Sequence, residues 1–415
     1  MRPAVLFKTG KYLLKSWAVV AASAAVCSAT LITETGVGTR PFGLGNNYVA
    51  SANDANALYW NPAGFAFMNL PEVCISVNGE RLNEQSRFFG SGDNGVRQSV
   101  WFGNAAIAMI GPAQNNLGGA IGLQSPYSFL DMQKYNGSFE SGGSLVAETK
   151  NYRAGGSLNF WSLGGGFQIN KNMGVGATFS VVTGTENVMA DFTRSVNGVI
   201  LDSVNDFYRS ATSRGYYGYD LRVGLLYSIA RRAQVGILLV FPSYVEFVED
   251  TREDFPLVDS GESFRARGHL ESAPSGAVGL HVPLRFIRLN GDARFRAPYD
   301  GQPETSEASF WKVGGGCGVE VPVRFVPLLV RAGYSFDEFD PYVYLFKYNR
   351  SAPQVVDFTA SRNRQLITAG AEYSLDRQIS VEAAYGYSFW ELSTPPGLTE
   401  KQHVHRGTVG ISAHF

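Results

Sequence analysis

The chain has 415 residues, of which 45% are hydrophobic, 13% are aromatic and only 17% are charged, whereas soluble globular proteins average about 25% charged residues. Beyond the N-terminus its apolar runs, such as 237–241, are far shorter than the roughly 20 residues that a membrane-spanning helix needs. A helical membrane bundle is therefore excluded, and the aromatic content excludes a disordered chain. What remains is a large all-β protein, either a soluble sandwich or a barrel in an outer membrane.

Residues 1–29 have the composition of a secretory signal peptide. Three lysines precede an apolar stretch over 17–26, and Ser28-Ala29 supplies the small residues of a cleavage site. A lipid anchor at Cys27 is the less favoured alternative. Removing the segment's one arginine and three lysines from 35 basic residues leaves 31 against 36 acidic ones, a balance that does not indicate nucleic-acid binding.

Beyond the signal, apolar and polar residues alternate, which places one set on each face of a β-strand. In 379–389, for example, every second residue from Ile379 to Phe389 is apolar, and the residues between them are small or polar. This pattern predicts about 14 strands near 73–80, 99–110, 117–124, 157–169, 173–183, 218–229, 233–245, 274–282, 287–296, 311–321, 327–336, 366–375, 379–389 and 407–415.

The connections between these segments alternate between short and long. The short ones lie near 111–116, 170–172, 230–232, 283–286, 322–326 and 376–378, and those between them have roughly 14 to 34 residues. Outer-membrane barrels sort their connections in this way, with short periplasmic turns and long external loops. The sequence therefore predicts an antiparallel transmembrane β-barrel of about 14 strands in the outer membrane of a Gram-negative-type bacterium.

The energetic cost of a charge in lipid decides which face of each strand points outward. An arginine at the bilayer midplane costs about 2 to 4 kcal/mol on the lipid face of a barrel, so we expect Arg288, Arg294 and Arg296 to point into the lumen. Aromatic residues near strand ends are expected to form interfacial girdles. They are Tyr227, Phe336, Tyr373, Tyr387, Phe389 and Trp390.

The last strand ends the chain with Val409, Ile411 and Phe415 on one face. An amphipathic strand that closes on a terminal aromatic resembles the signal by which bacterial outer-membrane barrels are recognised for insertion. An ordinary edge strand that happens to end in Phe is the alternative.

Two cysteines remain after cleavage, and the alternation places Cys74 on the polar face of its strand and Cys317 on the apolar face. We therefore expect two free thiols. The glycine runs 164–166 and 314–316 lie within strands and open no helix, so they do not form a phosphate-binding motif. We expect them to let neighbouring side chains or an N-terminal plug approach closely.

No constellation of catalytic residues is apparent. The chain has no G-x-S-x-G elbow, and His403 and His405, in the last external loop, lack a recognisable third metal ligand. We predict neither an enzyme nor a cofactor or metal site.

Residues 30–70, which we call the hatch, do not alternate. They are rich in apolar and small residues, and in water they would expose Phe42, Leu44, Tyr48, Leu58, Tyr59, Trp60, Phe65 and Phe67. A barrel of about 14 strands is wider than its own side chains can fill. We therefore predict that the hatch folds inside the barrel, which comprises residues 71–415, as a plug.

The hatch resembles that of the FadL-like superfamily of outer-membrane transporters for long-chain fatty acids and other hydrophobic compounds. The matching residues are Gly43, Gly45, Asp54 and the run Asn61, Pro62, Ala63 and Gly64. The resemblance implies passive uptake through a plugged barrel and a lateral exit at the third strand, which carries Gly118-Gly119 and stops before Pro126. The short spacing 53–60 before Asn61 and the opening 37–40 look at least as much like the PorV-like branch, whose members serve a protein secretion machine in the outer membrane. A structural or docking role with secretion-system proteins is therefore the alternative function.

Assigning lumen faces strand by strand predicts one apolar wall and one ionic wall. A fatty acid could lay its tail along the first and its carboxylate against an arginine of the second. Simple pairing of arginines with glutamates across neighbouring strands is the alternative. The candidate ligand-lining residues are Leu158, Phe160, Val182, Leu226, Leu238, Val240, Arg288, Arg294, Arg296 and Arg331, with Asp292, Glu320, Glu372 and Glu382 on the ionic wall.

Overall fold

The computed structural model describes most of the chain from Thr33 to Phe415. The described residues are 33–88, 91–111, 117–141, 143–200, 207–229, 233–257, 260–298, 311–337, 343–346, 354–356, 363–393 and 398–415. The predicted signal peptide lies outside them.

The chain forms a closed antiparallel barrel of 14 strand positions, as predicted. The first barrel strand pairs with the last along its whole length, from Glu72 opposite His414 to Phe88 opposite Leu398, and this ladder closes the sheet. Three positions are each built from two consecutive strands. A short strand in the hatch, at 33–34, and two short strands at 343–346 and 354–356 complete the sheet.

The strands are numbered in chain order. They are β1 Thr33–Glu34, β2 Glu72–Phe88, β3 Ser91–Ile110, β4 Leu117–Ser128, β5 Asp131–Ser141, β6 Ser144–Asn170, β7 Met173–Val196, β8 Phe207–Ile229, β9 Ala233–Val240, β10 Tyr244–Phe255, β11 Ser260–Glu271, β12 Ser275–Pro283, β13 Arg288–Arg296, β14 Lys312–Val323, β15 Leu328–Asp337, β16 Val343–Phe346, β17 Gln354–Val356, β18 Arg364–Ser374, β19 Ile379–Ser393 and β20 Leu398–His414. The two-strand positions are β4 with β5, β9 with β10, and β12 with β11.

The strand ends that flank the six predicted short connections all lie at one end of the barrel, which we call the turn end. These connections join β3 to β4, β6 to β7, β8 to β9, β12 to β13, β14 to β15 and β18 to β19. The other end, the loop end, differs from the prediction because much of its sequence is strand rather than loop. β2 extends to Phe88 and β3 begins at Ser91, and 246–271 belongs largely to β10 and β11.

The missed strand halves have a common physical reason. In β8, for example, the outer stretch 208–214 is polar on both faces because the outside of the barrel meets water there. Without an apolar face the period-two pattern disappears, although the backbone ladder to β7 and β10 continues.

The predicted sidedness of the strands is correct. Along β19 the odd-numbered residues from Ile379 point outward, while Glu382 on the opposite face is buried in the lumen. A belt of exposed apolar residues surrounds the barrel towards the turn end, and with the closed sheet it places the chain in an outer membrane. It includes Val73, Ile75, Ile107, Ile121, Leu163, Phe167, Leu239, Leu280, Val321, Val330, Ile367, Leu375, Val409, Ile411 and Phe415.

Trp390 is an exception to the predicted aromatic girdles. Its side chain is buried in the lumen, where it packs with Leu82, Leu130 and Val404. The prediction was wrong because Trp390 is one residue out of phase with Tyr387 and Phe389, so it faces the interior.

The two cysteines are free, as predicted, with Cys74 buried on the lumen side and Cys317 exposed on the outer face. The C-terminal residues Val409, Ile411 and Phe415 all lie on the lipid-facing side of β20, or just beyond its end. This placement is the one expected of the insertion signal. That the last strand is recognised for insertion stays a prediction.

The hatch contains only short elements. β1 pairs with β4, the helix α1 spans Thr39–Gly43, α2 spans Ala57–Trp60, and a 3-10 helix spans Pro62–Phe67. Within the described residues, no helix has the length and apolar character required to cross a membrane.

Candidate functional site

The described part of the hatch lies inside the barrel, and most of its residues up to Phe65 are removed from solvent. Leu44, Tyr48 and Leu58 have no measurable exposure, and Trp60 retains only 3%. These side chains form one apolar cluster with lumen-facing residues of β2, β3 and β4. Burial of this kind is the favourable term that keeps the segment inside the barrel.

Side chains of the barrel wall hold the hatch by its backbone. The Asp292 carboxylate on β13 accepts hydrogen bonds from the amides of Tyr48 at 2.7 Å and Val49 at 3.1 Å. On the other side, Arg222 of β8 donates to the carbonyl of Tyr59 at 2.9 Å. Further bonds join Arg406 to Thr35, Arg364 to Glu34, Arg294 to Asn46, Glu72 to Ala55 and Thr368 to Gly43.

The Asn-Pro-Ala-Gly run anchors the end of the hatch. The Asn61 amide group donates to the carbonyls of Val49 at 2.8 Å and Leu225 at 3.2 Å, and its oxygen accepts from the amide of Ala63. Asn61 therefore caps the 3-10 helix and ties it to β8, while Pro62 occupies the first helical position, where no amide hydrogen is needed.

The other motif residues act in the same structural way. A Cβ atom at Gly64 would overlap the carbonyl oxygen of Ala52, and Gly45 has a positive φ of 67°. The Asp54 carboxylate accepts from the Tyr48 hydroxyl at 2.6 Å and lies 3.6 Å from the Arg40 guanidinium. Burial raises the pKa of the Tyr48 phenol well above its usual value, so Tyr48 remains a neutral donor.

Glycines on the lumen face let the barrel wall approach the hatch backbone, as predicted for the glycine runs. A Cβ atom at Gly166 would crowd the carbonyl of Pro62, and one at Gly316 would crowd the side chain of Asn47. Gly333 is tighter still, because its Cβ atom would overlap the Leu44 carbonyl carbon.

The predicted ionic wall exists, and most of its arginines already have carboxylate partners. Glu320 lies 3.0 Å from Arg331 and 3.1 Å from Arg40 of the hatch, and 3.7 Å from Arg288. Arg331 also pairs with Glu372. Arg331 and Arg288 thus follow the alternative interpretation, in which charges of opposite sign fill the lumen and here also bind the hatch.

The predicted apolar wall lies on the opposite side and is tightly packed. Leu158, Phe160 and Val182 are fully buried in one cluster. The other members are Tyr127, Phe129, Tyr216, Val245, Phe247 and Leu270. Leu226, at 1% exposure, lies outside this cluster, and Leu238 packs instead with Val49 of the hatch and Ala277 of β12.

The third strand position is interrupted, and the chain crosses the lumen there. Pairing of β4 with β3 ends at Gln124 opposite Asn104, and the register with β6 shifts before Tyr127, around Pro126. Phe129 then stacks on Tyr216 at 5.1 Å between ring centroids, whereas Leu130 packs in the cluster of Trp390. Among the described residues, no ladder joins the outer half of β3 to β5.

A cavity of about 70 Å³ lies where the hatch, the apolar wall and the ionic wall meet. Four of the predicted ligand-lining residues surround it, namely Leu238, Val240, Arg294 and Arg296. The remaining six do not. Sequence reasoning missed Glu34, Tyr59, Trp60, Tyr127, Asp220, Arg222 and Phe295, which also line the cavity.

Arg222 is the charged group most closely associated with an aromatic ring in this cavity. Its guanidinium lies 3.8 Å from the centroid of the Tyr59 ring and pairs with Asp220 at 2.8 Å. The Tyr59 hydroxyl donates to Glu34 at 2.7 Å, and burial raises the pKa of Tyr59 well above its usual value. The polar and apolar faces of β8 predict that Arg222 points inward, but the partner ring comes from the hatch and is not evident from the strand pattern.

Comparisons with known proteins agree with this fold. No protein-family model matches the chain, and no curated protein matches its sequence. Among solved structures, the toluene transporter TodX of P. putida superposes with a TM-score of 0.65 at 14% identity, covering 92% of this chain and 99% of that one.

Two further structures give the same result. A FadL homologue from Pseudomonas aeruginosa has a TM-score of 0.60 at 12% identity over 93% of this chain and 99% of its own. The toluene transporter TbuX of Ralstonia pickettii has a TM-score of 0.58 at 11% identity over 92% of this chain and 98% of its own. The chain therefore has the fold of FadL-like outer-membrane transporters, as its hatch motif indicated.

Proposed function

We propose that the protein is an outer-membrane channel for passive uptake of hydrophobic or amphiphilic small molecules, with the hatch as its plug. The observation that carries this proposal is the cavity beside the hatch, where Leu238 and Val240 face Arg294 and Arg296. Three arginines and two carboxylates, those of Glu34 and Asp220, form the polar part of the lining, and this excess of positive charge beside apolar residues matches an apolar molecule that carries an anionic group.

The cavity also indicates how transport would proceed. At about 70 Å³ it has room for a few water molecules but not for a long acyl chain. The hatch, or the 129–132 segment that crosses the lumen, must therefore shift before such a cargo can pass. Because many bonds hold the hatch to both walls, we assign it the resting, closed state of the channel.

A long-chain fatty acid is the amphiphile that we infer as cargo. Its carboxylate would compete for Arg294, whose present partner Asp337 lies 3.4 Å away, and for Arg296. Its tail would contact Leu238 and then the cluster around Phe160, once Phe129 has moved. The toluene transporters of the same fold handle a cargo without a carboxylate, so aromatic hydrocarbons are the competing class.

We further propose that cargo leaves sideways, through the interrupted third strand position. The bulge around Pro126 and the missing ladder between β3 and β5 remove the backbone bonds that would otherwise seal the wall. Neither Gly118 nor Gly119 causes this break, because both lie within the intact ladder to β3 and β6.

Uptake in a Gram-negative host that lacks its own fatty-acid channel tests the proposal. We expect labelled oleate to enter cells that express the protein. The double variant Arg294→Ala with Arg296→Ala should slow this entry about tenfold, because it removes the charge-assisted contact with the carboxylate. Toluene entry would then be unaffected. The control is Arg252→Ala with Arg265→Ala, two exposed residues at the outer surface whose side chains are 73% and 68% accessible.

If neither oleate nor toluene entered faster with the protein than without it, the channel would be contradicted, whereas faster entry of toluene alone would contradict only the fatty-acid cargo. Copurification with other outer-membrane secretion proteins, without uptake of oleate or toluene, would instead support the PorV-like docking role. Unchanged oleate uptake in the double variant, with the channel active, would exclude these arginines as the carboxylate site.

A further inference from the structure

Two turns at the turn end carry the same short sequence. Residues 282–286 read Val-Pro-Leu-Arg-Phe, and residues 321–325 read Val-Pro-Val-Arg-Phe. The first forms the connection from β12 to β13, and the second the connection from β14 to β15. β13 and β14 are paired neighbours, so the two turns lie close together on one side of the barrel.

The two turns bring two cations to one aromatic ring. The Arg285 guanidinium lies 4.9 Å from the centroid of the Phe286 ring, and the Arg324 guanidinium lies 4.3 Å from it. Both arginines are exposed, and in the part of the chain that the structure describes neither forms an ion pair with a carboxylate. Two like charges held together without an anion create a local positive potential.

Exposed apolar side chains surround these cations. Phe325 is 95% exposed at the tip of its turn, and Leu284, Phe286 and Val326 are each about half exposed. This apolar group continues the lipid-facing belt, because Val323 ends the outward face of β14. Single exposed apolar residues need no explanation, whereas a contiguous group beside two unpaired arginines does.

The other described turns at this end differ in chemistry. Lys171 and Asn172 join β6 to β7 with polar residues only. In the turn before β19, Asp376 accepts hydrogen bonds from the amides of Gln378 and Ile379, both at 2.7 Å, which lower the pKa of its carboxyl. Among the turns at this end that the structure describes, two arginines beside a contiguous apolar group are therefore found only in the two Arg-Phe turns.

We propose that Arg285, Phe286, Arg324 and Phe325 form a binding site for the headgroup of an anionic phospholipid in the inner leaflet of the outer membrane. The two guanidinium groups would bind the phosphate, and the Phe325 ring would enter the interface beside the acyl chains. Arginine binds phosphate through paired hydrogen bonds, and aromatic rings favour the boundary between headgroups and hydrocarbon. Continuity with the lipid-facing belt favours a lipid over a protein partner.

Spin labels on the full chain measure whether these turns enter the membrane. In a Cys74→Ser, Cys317→Ser background, a nitroxide at Phe325→Cys is compared with one at Gln378→Cys, a polar turn at the same end. In vesicles of phosphatidylglycerol and phosphatidylcholine we expect oxygen to reach the label at 325 better than a water-soluble nickel complex does, and the reverse at 378. Equal access of the nickel complex at both positions would overturn the proposal, as would spin-spin broadening at 325 that shows contact between two copies.

Charge removal tests the headgroup directly. We expect Arg285→Gln with Arg324→Gln to bind phosphatidylglycerol about thirtyfold more weakly in native mass spectrometry, since each arginine near an anionic surface contributes about fivefold. Lys171→Gln with Arg377→Gln removes the same charge from the same end and should leave binding unchanged. An equal loss in both double variants would show that only net charge matters. A protein bound in a one-to-one ratio at the surface around Phe325 would show that the occupant is not a lipid. Either result would overturn the proposal.

Discussion

Asp292 of the barrel wall binds the backbone amide of Tyr48 in the hatch at 2.7 Å, and the same carboxylate oxygen also accepts from the next amide along the chain. A charged acceptor that receives two amide hydrogens fixes the position of the hatch backbone whatever its side chains are. The wall thus fixes the backbone conformation of the hatch independently of most hatch side chains. The exceptions are the motif residues, which that backbone conformation itself requires.

We expect Asp292→Asn to loosen the hatch without unfolding the barrel. Hydrogen bonds to a charged group contribute about 1.5 to 3 kcal/mol each, and the amide oxygen of Asn keeps only the weaker, neutral part of this interaction. Amide hydrogen exchange at 46–50 should accelerate about tenfold. Asp191→Asn, an exposed residue with a 58% accessible side chain at the outer rim, is the matched control and should exchange like the wild type. No difference between the two variants would show that Asp292 does not hold the hatch.

Gly333→Ala should displace the hatch, because the new methyl group would overlap the Leu44 backbone. Overpacking of a well-packed interior costs about 1 to 3 kcal/mol. We expect a lower midpoint of thermal unfolding and greater ion conductance in planar bilayers. Gly407→Ala, at a barrel position where no heavy atom lies within 4 Å of the added Cβ, should change neither quantity. Equal behaviour of the two variants would contradict the close approach at Gly333.

The barrel was predictable from the sequence wherever lipid contacts its outer face. At the turn end the alternation predicts where β6 ends and β7 begins to within two residues, because every outward residue there must be apolar. At the loop end the sequence carries no such requirement. β5, β10 and β11 were therefore missed, although their backbone ladders are as regular as the others.

The candidate site was predictable only in part, for a different reason. Inward direction follows from strand parity, which correctly places Arg294 and Arg331 in the lumen. Parity does not show which acid will reach an arginine across the barrel or from the hatch. The contact between Arg40 and Glu320, 280 residues apart in sequence, depends on how the hatch folds inside the lumen.

A disulfide between the hatch and the wall should block transport reversibly if the hatch moves. The hydroxyl oxygens of Thr39 in α1 and Thr408 in β20 lie 3.1 Å apart, so Thr39→Cys with Thr408→Cys places two thiols within bonding reach. In a Cys74→Ser, Cys317→Ser background, we expect the oxidised protein to lose oleate uptake and a reductant to restore it. Each single cysteine variant controls for the substitution itself. Full uptake by the quantitatively cross-linked protein would show that this part of the hatch stays in place during transport.

Ala277→Leu should obstruct the cavity and leave the barrel intact. Ala277 lines the cavity beside Leu238, and three additional carbons there occupy the space that an entering cargo would use first. We expect oleate and toluene uptake to fall at least severalfold, while the amount of heat-resistant barrel in the membrane stays the same. Ala371→Leu adds the same carbons on the outward face of β18, among lipid-facing residues such as Tyr373, and should transport normally. If Ala277→Leu also transports normally in a folded barrel, the cargo route does not pass through this cavity, and the channel must open elsewhere around the hatch.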